Sequence, residues 1–232
     1  MPVNTEKPKQ KTNIIALCTN LFWMFMIGNV AGVIVEGVIS IFAKGHWESH
    51  VTLLWGPLNL VYGFAAIFIY LMAGRLKKMN IFLKFLVFAV VCTALELAVA
   101  FFQEIVFNSI SWDYSNLPLN IFNGRICLFF SIGWGILGVF FSDFVFVKLD
   151  KVLKKPHSKI WTVFSLICAV VMIFNMSFST AVLYRWGNRV KHPEPSNKFE
   201  EFADRHYPHD YLQERFCEWI ILENNIKPKS DN

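Results

Sequence analysis

The sequence lacks the signature motifs of several large enzyme classes. No GxxxxGK[ST] phosphate-binding loop is present, so the chain does not hydrolyse ATP by that route. The GxSxG and HExxH motifs are also missing, which removes the commonest serine-hydrolase and zinc-protease interpretations. His206 and His209 have HxxH spacing, but no convincing set of further ligands accompanies them. We therefore predict no metal site and no cofactor, and the sequence names no catalytic residue.

Cysteine motifs are lacking as well. The chain has five cysteines, an odd number, with no CxxC spacing, and Cys18, Cys92 and Cys168 fall inside apolar stretches. Reduced, structural thiols are therefore the default expectation. Cys127 and Cys217 are a pair that the topology predicted below could bring together on the outer side.

Long apolar stretches dominate what is present. Hydrophobic residues make up 55% of the 232 residues, 24 of them phenylalanine, and the mean hydropathy is +0.42. These values exceed what a soluble domain usually carries, and the long runs without turn residues suit lipid-facing helices. We therefore predict an all-α fold, a polytopic membrane helix bundle.

Five apolar runs are candidate transmembrane helices. The first is too long for a signal-peptide core, so we expect it to be retained. Pro57 is expected in the first turn of the second helix, where its missing N–H costs nothing. The chain then divides into an N-terminal segment (1–12), a transmembrane domain (13–184) and an amphipathic tail (185–232). The predicted spans are about 13–43, 53–73, 81–107, 121–147 and 160–184.

The tail is polar, with two candidate helix starts. Asn197 with Glu200, and Asp210 with Gln213, both have the spacing of a capping box, which predicts two short helices. Leu212, Phe216 and Ile220 recur at helical spacing. We expect this apolar stripe to dock on the membrane domain or at its interface.

The basic residues predict the orientation of the chain. The net charge of +5 comes largely from short segments between apolar runs, so we interpret it as a topology signal and predict no nucleic-acid partner. The positive-inside rule places the N-terminus in the cytoplasm and the tail outside the inner (cytoplasmic) membrane of the cell. Twelve basic residues fall on the predicted cytoplasmic side: Lys7, Lys9, Lys11, Arg75, Lys77, Lys78, Lys84, Lys148, Lys151, Lys154, Lys155 and Lys159.

Ionisable residues inside the apolar runs are the candidate site. Counting along each span places Glu36, Glu104 and Arg125 at a similar depth toward the outer side, with Glu96 nearer the middle. Such charges are costly unless paired or hydrated, so they should face the bundle interior or a water-filled cavity. Structural ion pairs are the alternative. The full set of candidate cavity residues is Glu36, Glu96, Glu104, Asp113, Tyr114, Asn120 and Arg125.

Several motifs together resemble the CmpB-like, type IV family of ABC transporter permeases. They are Gly32-x-x-x-Glu36, Gly56-Pro57-x-x-x-x-Tyr62-Gly63, Trp112-Asp113-Tyr114-Ser115 and Gly124-Arg125-Ile126-Cys127-Leu128, with Asn120 between the last two. The resemblance extends into the tail, at Arg185, Arg189 and Asp204-x-x-Tyr207-Pro208. We assign Gly56, Pro57, Tyr62, Gly63, Trp112 and Gly124 to structural positions of these motifs.

One departure concerns the segment before Gly56-Pro57. The family pattern has an Arg-Gly pair there, whereas this chain has Ser49-His50-Val51-Thr52. If that arginine helps to bind a ligand, either the site is altered in this chain or His50 takes its place.

The resemblance implies a transport role. The leading hypothesis is a permease-like component of the lipid bilayer with an outward-facing charged cavity and a separate ATP-binding subunit. Five spans are few for a complete pore, so a homo- or hetero-oligomer is expected. The alternative is an intramembrane enzyme acting on a lipid or isoprenoid at the outer leaflet, with Asp113 or Glu104 as base and Arg125 stabilising a phosphate or oxyanion. A scaffold for another membrane complex is the third possibility.

Overall fold

The long apolar runs form helices. A computed structural model describes residues 14–153 and 158–222 of the chain. The predicted segment 1–12 with its lysines, as well as Lys154, Lys155 and the last ten residues, lies outside the described residues. The helices of the bundle are α1 (Ile14–Lys44), α2 (Leu60–Leu76), α3 (Ile81–Phe107), α4 (Leu128–Phe140), α5 (Phe146–Leu153) and α6 (Lys159–Asn188).

Four helical stretches in the described part of the chain are long and apolar enough to cross a membrane, so the predicted count of five is not confirmed. They are α1, α3, α6 and the continuous stretch Leu128–Leu153, in which a π-helical turn (Phe141–Val145) joins α4 to α5. The helix α2 is shorter, with 17 residues. The chain is nevertheless a multi-pass membrane protein by the length and composition of its helices.

The second predicted span starts later than expected. Residues 51–59 form a loop, in which the Thr52 amide donates to the Leu58 carbonyl oxygen over 2.9 Å. Gly56 adopts a left-handed conformation with φ of +81°. Pro57 therefore precedes α2 and does not lie in its first turn, which corrects the prediction.

The fourth predicted span also starts later. Strand β2 (Asn120–Ile121) pairs antiparallel with β3 (Ile126–Cys127), and α4 begins only at Leu128. The turn between the strands is tight because Phe122, Asn123 and Gly124 all have positive φ. Arg125 thus lies in the β2–β3 hairpin, before α4 begins, and does not project from a face of that helix.

Small residues let α1 and α2 cross closely. A Cβ atom added to Gly28 would lie 2.6 Å from the Tyr62 backbone carbonyl oxygen. A Cβ atom added to Gly63 would lie 2.1 Å from Nδ2 of the Asn29 side chain. Both approaches are shorter than van der Waals contact, so only glycine fits at this crossing. Of the two glycines assigned to structural positions of the second motif, Gly63 lies at this crossing and Gly56 lies in the preceding loop.

The tail folds against one end of the bundle, called the tail end below. It contains α7 (Lys198–His206), α8 (His209–Arg215) and strand β4 (Ile220–Ile221), which pairs antiparallel with β1 (Ser109–Ile110). Asn197 caps α7 as predicted, because its side chain accepts a hydrogen bond from the Glu200 amide over 3.0 Å. The second helix has Pro208 at its N-cap, so Asp210 lies inside it.

Most of the predicted apolar stripe of the tail is buried. Leu212 and Phe216 pack with Trp186 of α6 in a hydrophobic core at the tail end. Ile220 is 42% exposed, because the chain has left the helix and entered β4 by that point. The tail is therefore a packed part of the structure.

Candidate functional site

A cavity of about 250 Å³ lies at the tail end of the bundle. It is bordered by α1 to α4, by the loops that follow α1 and α3, and by the tail. Its polar and aromatic lining includes Glu36, His50, Tyr62, Glu96, Tyr114, Trp134 and Glu218. The cavity thus combines carboxylates with large aromatic rings.

Glu36 projects from α1 toward α2. The Tyr62 hydroxyl donates a hydrogen bond to Oε1 of Glu36 over 2.6 Å, and the Tyr62 ring lies 5.1 Å from that of Trp134. The donor is a neutral phenol, so this hydrogen bond fixes the carboxylate without neutralising its negative charge. Tyr62 was predicted as a structural residue, but the structure places it on the cavity wall.

Glu96 projects from α3 and is 5% exposed. Its two carboxylate oxygens accept separate hydrogen bonds of 3.1 Å, from the Tyr114 hydroxyl and from Nε1 of Trp134. The Tyr114 ring stacks on Phe130 with 4.4 Å between ring centroids. Burial raises the pKa of the Tyr114 phenol well above its usual range, so the hydroxyl stays protonated and acts as a donor.

The tail supplies a third carboxylate. Glu218 hydrogen-bonds with Nδ1 of His50, whose Nε2 lies 3.0 Å from the Ser40 hydroxyl on α1. The hydrogen bond to Glu218 raises the pKa of His50, with a smaller contribution from the charges of Glu36 and Glu48, and it outweighs partial desolvation. His50 therefore links the first loop to the tail at the edge of the cavity.

This link predicts that docking of the tail weakens as the pH rises. The pKa of His50 in the folded protein lies above its ordinary value of about 6.5. The stabilisation of the docked tail by protonated His50 is therefore complete below about pH 6.5, and it is lost as the pH rises through the raised pKa. We expect limited proteolysis of the tail to accelerate as the pH rises above about 6.5 and through the raised pKa of His50. The tail of the Glu218→Gln variant should be cleaved faster than that of the wild type at low pH, and its cleavage rate should change much less as the pH rises.

The exposed His46 provides the control, because its replacement by Gln should leave the pH dependence of the cleavage rate unchanged. A proteolysis profile that Glu218→Gln leaves unchanged would contradict the assignment to this pair.

Arg125 pairs with Glu104 away from the cavity. The Arg125 guanidinium donates twice to Oε2 of Glu104, with Nε at 2.9 Å, and once to the Phe122 carbonyl oxygen at 2.9 Å. It also lies over the Phe101 ring, 4.8 Å from its centroid. The space beside this pair has a volume of about 10 Å³, which is too small for a substrate. The two groups therefore neutralise each other, and Arg125 is not positioned to bind a phosphate.

Asp113 and Asn120 stabilise the loop after α3. Oδ1 of Asp113 accepts a hydrogen bond from the Ser115 amide over 2.9 Å, which forms a local turn. The Asn120 side chain donates to the Ser115 and Leu117 carbonyl oxygens. Neither residue lines the 250 Å³ cavity. These contacts account for their positions without a ligand.

The structure thus brings together three of the seven candidate residues. Glu36, Glu96 and Tyr114 face one cavity, whereas the other four take part in an ion pair or a loop turn. Sequence reasoning missed Trp134 and Glu218. Trp134 lies in an aromatic-rich run that does not distinguish it from its neighbours, and Glu218 lies inside an apolar stripe whose docking surface the sequence does not reveal.

An ion pair and two cysteines lie apart from the cavity. Asp143 pairs with Lys84, with Nζ and Oδ1 2.6 Å apart. Cys127 and Cys217, the pair that the sequence suggested, are both free. Neither group contributes to the cavity.

The length and apolar composition of its helices make the chain a multi-pass membrane protein. Residues 23–180 match the model of the family described as "Putative ABC-transporter type IV". The match covers more than half of the chain, so the chain belongs to this family. It ends before the tail. Searches of curated proteins and of solved structures found no match.

Proposed function

We propose that this chain is the membrane component of a transporter, and that the cavity lined by Glu36 and Glu96 holds the cargo. The observation that carries the proposal is the meeting of two carboxylates from different membrane helices, the buried Glu96 and the partly buried Glu36, in one aromatic-walled cavity. Ionisable groups at such depth commonly mark a ligand or ion pathway, because their burial is costly without one. Membership of a transporter family supports the same conclusion.

The proposed orientation has the N-terminus in the cytoplasm and the tail on the outer side of the inner membrane. In this orientation the cavity faces outward, beneath the docked tail. The basic segments at the opposite end of the bundle then face the cytoplasm, where an ATP-binding subunit would be available. A second permease chain completes the translocation path.

The turn between α2 and α3 is the proposed docking point for the ATP-binding subunit. Lys77 and Lys78 are exposed there, whereas Lys84 is already paired with Asp143. Complementary charge at an interface promotes association, and like charges across it oppose association. The basic turn is therefore suited to an acidic surface on the partner.

Affinity purification tests this proposal. The tagged chain, extracted from its native membrane, is expected to retain an ATP-binding subunit that mass spectrometry identifies by its phosphate-binding loop. The Lys77→Glu/Lys78→Glu variant should reduce recovery of the subunit by about tenfold through like-charge repulsion.

Lys198→Glu is the matched control, since this lysine is exposed at the other end of the molecule. It should leave recovery unchanged. Absence of any ATP-binding subunit from the wild-type preparation, with the fold intact, would count against the transporter.

A further inference from the structure

The charges around the cavity favour a cation. Glu36, Glu96 and Glu218 are acidic, and His50 is the only lining residue among those described that can carry a positive charge. His50 is paired with Glu218, and Arg125 is paired with Glu104 outside the cavity. Among the described residues, the carboxylates of Glu36 and Glu96 therefore lack a full compensating positive charge, since Glu36 shares the charge of His50 with Glu218.

The hydrogen bonds to these carboxylates do not supply that charge. The donors are two phenols and an indole N–H, all of them neutral groups. A carboxylate has about four acceptor positions, so Glu36 and Glu96 can each accept further hydrogen bonds from a bound group. Burial of an ionised carboxylate is costly unless it is paired, and a cationic ligand would provide the pairing.

The walls of the cavity favour an organic cation over a metal ion. Rings of Tyr62, Trp112, Tyr114 and Trp134 line it. Aromatic faces attract ammonium groups, and quaternary ammonium ligands are recognised in this way. No group of three or more metal-ligating side chains converges anywhere in the described residues. Ca²⁺ would require six to eight oxygen ligands, which these walls do not offer.

The volume limits the size of the ligand. The cavity holds about 250 Å³, below the roughly 300 Å³ at which pockets for drug-sized molecules begin. We infer that the cavity binds a small organic cation, an amine or quaternary ammonium group, between the carboxylates of Glu36 and Glu96 and the surrounding aromatic rings. This inference rests on the proposed function, because it names the chemical class of the cargo.

Choline and its neutral analogue provide the test. In the analogue a carbon atom replaces the ammonium nitrogen, so the two molecules share size and shape and differ in charge. Binding of tritiated choline to the purified full-length chain is measured by scintillation proximity. We expect saturable binding with Kd below about 10 mM, and a neutral analogue that competes at least about tenfold less well.

Two substitutions locate the binding. Glu36→Gln and Glu96→Gln keep the shape of each side chain and remove its charge, so each should weaken choline binding by about tenfold or more. The double variant Glu104→Gln/Arg125→Gln is the matched control, because it removes a carboxylate and its partner outside the cavity. It should bind choline as the wild type does. Thermal unfolding of each variant identifies any loss of fold.

Several results would overturn the inference. These are absence of saturable choline binding, equal competition by the neutral analogue, or binding that survives both glutamate substitutions in folded protein. The proposed function fails separately, by absence of an ATP-binding subunit from the native preparation. Choline binding in the absence of an ATP-binding subunit would support the cation site and contradict the ATP-driven transporter. An ATP-binding subunit in the native preparation, without choline binding, would support the transporter and contradict the cation site.

Discussion

Replacing Arg185 by Ala should release the tail from the membrane domain. The Arg185 side chain is 3% exposed at the end of α6 and donates to both oxygens of Asp204, with its Nη2 2.6 Å from Oδ2. It also donates to the carbonyl oxygens of His192 and Pro193, at 2.7 and 3.0 Å. One guanidinium therefore holds α6, the following turn and α7 together.

The expected loss is large because the carbonyl oxygens of His192 and Pro193 would lose this donor, and Asp204 would keep only Arg189 as a partner. Partial desolvation opposes ionisation of Asp204, but hydrogen bonds from Arg185 and Arg189 keep its pKa below the usual range. Breaking a buried pair by removing one member costs about 3 kcal/mol or more. For a chain of this size, this corresponds to a decrease in Tm of roughly 6 °C or more. The tail should also become sensitive to limited proteolysis.

Arg205→Ala is the matched control. Arg205 pairs with Glu201 one helical turn away, and the two side chains are 71% and 61% exposed. Such a pair contributes at most about 1 kcal/mol, so the change in Tm should be small. Equal effects of the two arginine substitutions would show that the buried contacts do not hold the tail.

Replacing Gly187 by Ala should separate the ends of α3 and α6. A Cβ atom at this position would lie 1.7 Å from the Phe107 carbonyl oxygen. Phe107 ends α3, and the obstructing atom belongs to its backbone, so no rotamer change can relieve the contact. The next residue, Asn108, donates to the carbonyl oxygens of Gly187 and Leu222, and these bonds would be lost too. We expect destabilisation of about 2 kcal/mol or more.

Gly133→Ala tests whether the effect is local. A Cβ atom at Gly133 would meet no atom within 4 Å, although the residue also lies within a membrane helix. Alanine is the better helix former by about 1 kcal/mol, so this variant should unfold at the same temperature as the wild type or above it. Thermal unfolding in detergent, followed by circular dichroism, measures both. A Gly187→Ala protein as stable as the wild type would contradict the close approach.

The class of protein could be predicted because it depends on features of short, continuous stretches of sequence. Runs of apolar residues longer than the bilayer thickness predict membrane helices wherever they later pack. The motifs from Gly32 to Leu128 likewise predicted the family, which the match over residues 23–180 confirms. The count of five spans is not confirmed because the second helix is short: composition did not reveal that the chain at Gly56 and Pro57 turns before it becomes helical.

The partners of the charges could not be predicted in the same way. Depth along a helix follows from counting residues, but the direction in which a side chain points depends on how each helix rotates against its neighbours. Arg125 and Glu36 have similar predicted depths. A three-residue turn of positive φ places Arg125 in a hairpin beside Glu104, whereas Glu36 meets Tyr62 on α2.

By itself, the sequence determined that the chain is helical, resides in a membrane and belongs to its family, because each property follows from composition and spacing along the chain. Tertiary structure alone decided which groups share the cavity. Glu218 reaches His50 only because the tail folds back over the bundle, and Trp134 reaches Glu96 only because α4 packs against α3. Such contacts join residues far apart in sequence, so the packing of the whole chain is needed to specify them.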